Sequence, residues 1–212
     1  MKTNILVFGL LIYAGFNLNA QEIRFGFQGG MGVTKSYWTN ISGGAFLDNP
    51  YNPIASFSLN GYMGFRIKGI WGLSIEPGII QKGGVDLNSP DEKMDNARFE
   101  LLYIHAPILY DFYVGNKFFV SIGPEPGYLI SVKSNFEDFP TDMKDFYDNE
   151  FEICGLVGVN YCIAENADIG IRYSRGLIHT IRYVSTGFTN VKEYNQYLHV
   201  IARYKFNPKN KG

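Results

Sequence analysis

The sequence predicts an all-β protein, an eight-stranded antiparallel up-and-down transmembrane β-barrel with short periplasmic turns and long extracellular loops. Three observations predict it. Apolar residues recur with a period of two through eight segments. The connections between those segments alternate between tight turns and long polar stretches. Charged side chains fall almost entirely on one face of the segments.

Composition already narrows the field. The chain has 212 residues, with 19 Lys and Arg against 20 Asp and Glu, a balance that excludes nucleic-acid binding by bulk charge. Charged residues are 18% of the chain, below the roughly 25% of ordinary soluble domains. The 24 glycines, 17 phenylalanines and 15 tyrosines point away from a helical enzyme. The length suits a single domain.

The N-terminus reads as an export signal. Lys2 precedes an apolar run from Ile5 to Phe16, and Asn17-Leu18-Asn19-Ala20 supplies a polar region ending in a small residue. The apolar core is shorter than the ~20 residues a membrane-spanning helix needs. Residues 1–20 are therefore expected to be a signal peptide and residues 21–212 the mature barrel domain. Export leads to an oxidising compartment, but Cys154 and Cys162 are not expected to pair. Placed on one strand they would be roughly 26 Å apart, against a limit of ~7 Å for a bridge.

The eight segments follow in order. In the first, Ile23, Phe25, Phe27, Met31 and Val33 alternate with Glu22, Arg24, Gln28 and glycines. The second sets Ala55, Phe57, Leu59, Met63, Phe65 and Ile67 against Ser56, Ser58, Asn60, Tyr62, Arg66 and Lys68, and the third sets Trp71, Leu73, Ile75 and Ile79 against Ser74, Glu76 and Lys82. The fourth alternates Leu102, Ile104, Ala106, Ile108, Tyr110 and Phe112 with Tyr103, His105, Pro107, Leu109 and Asp111. In the fifth, Phe118, Val120, Ile122, Tyr128 and Ile130 oppose Lys117, Ser121, Gly123, Glu125 and Ser131. The sixth opposes Phe151, Ile153, Val157, Val159, Tyr161 and Ile163 to Glu152, Cys154, Gly158, Asn160 and Cys162. The seventh has Ile169, Ile171 and Tyr173 against Asp168, Arg172 and Ser174. The last has Leu198, Val200, Ala202, Tyr204 and Phe206 against Tyr197, His199, Arg203 and Lys205.

Tight turns are expected at Lys68-Gly69, Gly115-Asn116 and Glu165-Asn166. The other connections, residues 35–53, 83–97, 132–149 and 183–193, are rich in Asn, Asp, Gly, Pro and Ser and all fall at the opposite end. That asymmetry is the mark of an outer-membrane barrel.

Charge decides which face turns outward. The polar faces carry Glu22, Glu76, Asp111, Glu125, Glu152 and Asp168, with Arg24, Arg66, Lys68, Lys117, Arg172, Arg203 and Lys205, while the apolar faces carry almost none. Eight strands enclose room for side chains or one small ligand, too little for so many large apolar residues. Turned to lipid they need no such space. The charges then pair inside, in a lumen of salt bridges and hydrogen bonds rather than an open pore, since an unpaired buried charge costs several kcal/mol. Arg175 is the exception on the lipid-facing register, near the outer rim where it can snorkel to headgroups. Closure satisfies every backbone group in hydrocarbon. Phe25, Trp71, Phe112, Tyr128, Tyr173, Tyr204 and Phe206 sit toward strand ends as interfacial girdles do, and Pro107, Pro124 and Pro126 call for local bulges.

Two stretches carry a resemblance. Leu102-Tyr103-Ile104-His105-Ala106-Pro107-Ile108-Leu109-Tyr110 is similar to the fourth strand, and Phe119-Val120-Ser121-Ile122-Gly123-Pro124 to the following strand, of the PorT-like outer-membrane β-barrel family of Bacteroidetes. The Asn19-Ala20-Gln21 context and the final strand ending in Tyr204 and Phe206 agree with it, whereas His105 departs from the commoner residue at its position and six residues follow Phe206. The resemblance implies an integral outer-membrane protein; a few relatives serve protein secretion.

Catalytic signals are weak. His105 and His199 share the polar face with Tyr103, Asp111 and Glu125, and read as hydrogen-bonded fillers rather than general bases. His179 is the one histidine placed near the lipid interface, and no serine can be assigned to it. The acidic stretches 83–97 and 132–150 lack calcium-loop spacing and read as solvated surface. Gly29-Gly30-Met31-Gly32 lies within a strand and opens no helix, so it is no phosphate loop. The expectation is a non-enzymatic outer-membrane barrel with no cofactor and no metal, in contact with outer-membrane lipid, acting through its loops or through other envelope or secretion proteins. A lipid-modifying enzyme and a narrow channel for small solutes stand as alternatives.

Overall fold

The computed structural model describes residues 22–40, 51–66, 70–86, 97–134, 144, 147–185 and 188–206. The expected signal peptide, Ile67, Lys68 and most of the long acidic stretches lie outside the described residues.

Among the described residues twelve strands form one sheet: β1 (Glu22–Asn40), β2 (Tyr51–Asn52), β3 (Ile54–Arg66), β4 (Trp71–Ile75), β5 (Gly78–Asp86), β6 (Ala97–His105), β7 (Ile108–Val114), β8 (Phe118–Ser134), β9 (Phe151–Ala164), β10 (Ala167–Gly176), β11 (Ile181–Ser185) and β12 (Phe188–Lys205). They build the eight expected staves. β4 and β5 are two halves of the third stave and β6 and β7 of the fourth, each pair continuing along the same neighbours. All pairings are antiparallel, and the ring closes where β1 meets β12 from Gly26–Lys205 to Asn40–Val191. Among the described residues each of the eight staves pairs with a neighbour on both sides, which is the condition for a sheet to cross a bilayer.

Proline explains where the staves break. Glu76-Pro77 separates β4 from β5 and Ala106-Pro107 separates β6 from β7. The neighbouring carbonyls are still used: Gly61 N donates to Pro77 O at 2.8 Å, Glu76 N to Pro107 O at 2.9 Å and Ala106 N to Pro126 O at 2.9 Å. Pro124 and Pro126 remain inside β8, opposite this handover, so the missing donors of four prolines, Pro77, Pro107, Pro124 and Pro126, gather at one level of the wall. The register shift between β6 and β8 lies at Leu102/Tyr103.

The turns at one end are short, and Gly115, at φ 68°, takes a left-handed conformation that a β-carbon would strain. At the other end the strands run further than expected. Residues 35–40, 83–86 and 132–134 continue β1, β5 and β8. Residues 183–193, expected to be a loop, form instead the rising strand pair β11–β12, with Ile181 opposite Glu193 and Tyr183 opposite Val191. The stretch is rich in β-branched and aromatic residues, which favour a pleated backbone, and polar residues that suggested a loop, among them Ser185, Thr189 and Lys192, are carried within the paired strands.

The face assignment holds along the staves except at Ser131, expected inward, which the register shift between β6 and β8 sets opposite the outward Leu102 while Val132 turns into the core. Phe57, Met31, Val200, Ile171, Val159 and Val120 follow one hydrogen-bonded row around six strands, from β3 through β1, β12, β10 and β9 to β8. Met31 is 70% exposed and Phe57, Val200 and Ile171 are nearly 60% exposed. Such exposure of large apolar side chains suits lipid and not water.

Candidate functional site

Inward-facing residues fill the barrel in two polar layers and an apolar plug. In the layer nearer the short turns, Glu76 is the centre. It sits at the β4–β5 break, where its backbone is anchored to Pro107. Arg172 of β10 donates to both carboxylate oxygens, one at 2.8 Å, and Arg203 of β12 donates at 2.6 Å. Gln28 of β1 donates at 3.0 Å. Arg203 also lies 3.5 Å from Asp168, which takes Lys205 at 2.8 Å, and stacks 4.0 Å above the Tyr62 ring. Asp111 accepts from Ser121 at 2.5 Å.

The second layer is centred on Lys82 of β5, whose ammonium lies 2.9 Å from Glu152 and 3.2 Å from Glu125. Glu125 also accepts from Tyr197 at 2.6 Å and Ser174 at 2.9 Å. His105 bridges the layers. Its Nδ1 is 3.1 Å from Glu125 and its Nε2 2.9 Å from the Asn60 amide, which in turn donates to Glu76 O. His199 pairs with Ser56 at 2.8 Å. Both rings are buried among side chains of the lumen, the position of fillers. His179, between β10 and β11, lies apart from them with its ring centroid 6.5 Å from that of Tyr194.

The expectation of a lumen made of polar pairs alone is incomplete. Ile80, Leu101, Tyr103, Leu109, Leu129, Val132, Leu156 and Tyr197 form a buried apolar cluster, with Phe99 and Tyr147 packed on it. Leu101 and Leu129 were hidden because their outward neighbours Leu102 and Ile130 are apolar too, so alternation gives no phase there. Glu193 was missed because its segment reads as loop, yet it is buried on β12. The two cysteines are free, as expected from their placement along β9.

Four bases gather at the short-turn mouth. Arg24, Arg66, Lys117 and Lys205, the last already held by Asp168, line an open cavity of about 330 Å³ there with Tyr62, Tyr113 and one acid, Glu165. Arg24 donates to Glu165 O at 2.7 Å and Arg66 lies 4.3 Å over the Tyr113 ring. Lys117 is exposed. The polar interior thus ends in a cationic vestibule rather than in a neutral rim. Among the described residues no group of three or more His, Cys, Asp or Glu side chains is arranged to hold a metal ion.

Comparison with known proteins places this geometry. The sequence profile of the outer membrane protein β-barrel domain matches residues 13–182. No curated protein matches the chain. Among solved structures, Neisserial surface protein A is similar, with a TM-score of 0.54 at 18% identity over 86% of this chain and 97% of that one. Ail of Yersinia pestis is similar at a TM-score of 0.41 and 14% identity over 85% of this chain and 99% of its own. OprG of Pseudomonas aeruginosa gives 0.39 and 15% over 88% and 95%. At these identities the likeness is one of fold, carried by the first.

Proposed function

The chain belongs to the outer membrane protein β-barrel domain family, and from that premise we propose that this integral outer-membrane protein works without catalysis, through contacts of its rims with other envelope proteins. The observation that carries the reading is the filled lumen. Two polar layers and the apolar cluster of Ile80, Leu101, Tyr103, Leu109 and Leu129 occupy the space through which a solute would pass. With the interior committed to holding the wall together, the surfaces left for work are the outer loops and the cationic vestibule of Arg24, Arg66, Lys117 and Lys205. A charged rim favours specific, steered association with an oppositely charged partner.

The similarity of Leu102–Tyr110 and Phe119–Pro124 to PorT-like barrels supports placing the protein in that branch, with secretion or surface assembly as its process. Isolation from outer membranes in mild detergent tests the proposal. A periplasm-exposed protein should accompany the barrel at fixed stoichiometry and be lost from the Arg66→Glu/Lys117→Glu variant, while the barrel keeps its heat-dependent gel mobility. Recovery as a lone barrel that gives stepwise single-channel conductance in planar bilayers would refute it.

A further inference from the structure

On the lipid side of β1, β12 and β10 the apolar face changes character near the long-loop end. Below, Met31, Val33, Leu198, Val200 and Ile171 are exposed and apolar. Above, the hydrogen-bonded register puts Lys35 beside Gln196 and Gln196 beside Arg175, with Tyr37 beside Tyr194 in the next outward row and Lys192 on the same face of β12. The rings of Tyr37 and Tyr194 stack at 5.3 Å, 16° from parallel. Arg175 lies 4.6 Å over the Tyr37 ring and its Nε donates to the Tyr37 hydroxyl at 2.8 Å. Tyr173 donates to Gln196 at 3.0 Å.

This is a fixed arrangement rather than a loose fringe of lysines. Tyr37, stacked on Tyr194, holds the Arg175 guanidinium by its inner nitrogen, and that hydrogen bond uses neither of its two outer nitrogens. Those nitrogens form the fork that suits phosphate oxygens. The outward positions of β1 from Ile23 to Thr39, of β10 from Ala167 to Arg175 and of β12 from Lys192 to Tyr204 include no acid. Elsewhere on the lipid face at this end, Arg98 lies 2.8 Å from Glu100, a carboxylate that offsets its charge. The acid-free cationic patch and the apolar wall beneath it are continuous, so one molecule with an anionic head and acyl tails can touch both.

We propose that Lys35, Arg175 and Lys192, with Arg175 held in place by Tyr37, form a seat for the phosphorylated headgroup of a glycolipid in the outer leaflet. The acyl chains lie on Val33, Leu198, Met31 and Val200. The charge of the patch selects the headgroup, and its height above the apolar band selects the leaflet.

The experiment uses the full chain folded into bilayers of phosphatidylcholine containing a minor share of lipid A, extracted in mild detergent and weighed by native mass spectrometry. The protein should retain lipid A, and should retain its dephosphorylated form at least about tenfold less, as expected for loss of the charged contacts. The Lys35→Ala/Arg175→Ala/Lys192→Ala variant should lose retention to a similar degree, whereas Arg98→Ala/Lys133→Ala, on the far side of the barrel, should keep it. Heat-dependent gel mobility reports whether each variant is folded, and the comparison of the two lipid forms on the unaltered chain does not depend on any variant folding. Equal retention of both lipid forms overturns the proposal, as does undiminished retention by the folded triple variant. A protein partner held by the same three residues in the absence of glycolipid also overturns it.

Discussion

Replacing Glu76 by alanine tests whether the polar interior holds the barrel together. The carboxylate is fully buried and accepts from Arg172, Arg203 and Gln28. Arg203 would keep Asp168 at 3.5 Å and the Gln28 oxygen at 3.0 Å, but Glu76 is the only carboxylate paired with Arg172 among the described residues. Breaking a buried pair from one side costs about 3–5 kcal/mol. The partial compensation at Arg203 places the expected loss near the lower figure, about two decades in the folding equilibrium. Glu76→Gln keeps an acceptor and should lose roughly 1–3 kcal/mol. Because the penalty comes from a stranded guanidinium, Glu76→Gln combined with Arg172→Met should recover at least about 1 kcal/mol relative to the sum of the single losses. Urea unfolding in lipid vesicles, read by gel mobility with and without boiling, measures all five chains: the unaltered protein, the three single variants, Arg172→Met among them, and the double variant. A Glu76→Ala loss under about 0.5 kcal/mol, or strict additivity of the two single changes, would refute the account of the lumen as a network of mutually compensating charges.

Three further outcomes are expected. Val200→Arg, in the middle of the lipid-facing row, should cost about 2–4 kcal/mol in the same unfolding assay, and a neutral result would contradict the placement of that row in hydrocarbon. Both cysteines should react with a thiol reagent after denaturation without reductant, since Cys154 and Cys162 are free; a blocked pair would show a disulfide that the strand geometry forbids. Outside the membrane, the hydroxyl of Tyr128 and then Lys144 hold the Glu150 carboxyl below its ordinary range, and Glu150 raises Lys144 in turn. A carboxyl with a lowered value contributes above its unfolded pKa of about 4.3 and loses that contribution as pH falls through the lowered value. Carboxyl NMR of Glu150 should therefore show a midpoint below that of a free glutamate, and an unshifted midpoint would contradict the contact.

Much of the wall was legible in the chain. A strict period of two tells inside from outside wherever one face is apolar and the other polar, as along Ile169–Ser174 and Leu198–Lys205. It fails where both faces are apolar, which is why Leu101 and Leu129 came to light only in the structure. It also fails where polar residues mimic a loop, as in 183–193, although β propensity was already present there. The prolines announced an irregularity, but not that Pro107, Pro124 and Pro126 would share one level, because their meeting depends on the register of β6, β7 and β8.

By itself the sequence determined the number of staves, the facing of most of their residues, the end that carries the turns and the isolation of Cys154 from Cys162. All are local consequences of side-chain alternation and of chain length per residue. Tertiary structure alone decided who meets whom. Arg172 and Arg203 converge on Glu76 from 96 and 127 residues away, and Lys35, Arg175 and Lys192 share one face because β1 closes on β12. Alternation specifies a direction for each side chain but not a height in the barrel. Height follows from the stagger of every neighbouring pair around the closed ring, a quantity no single segment contains.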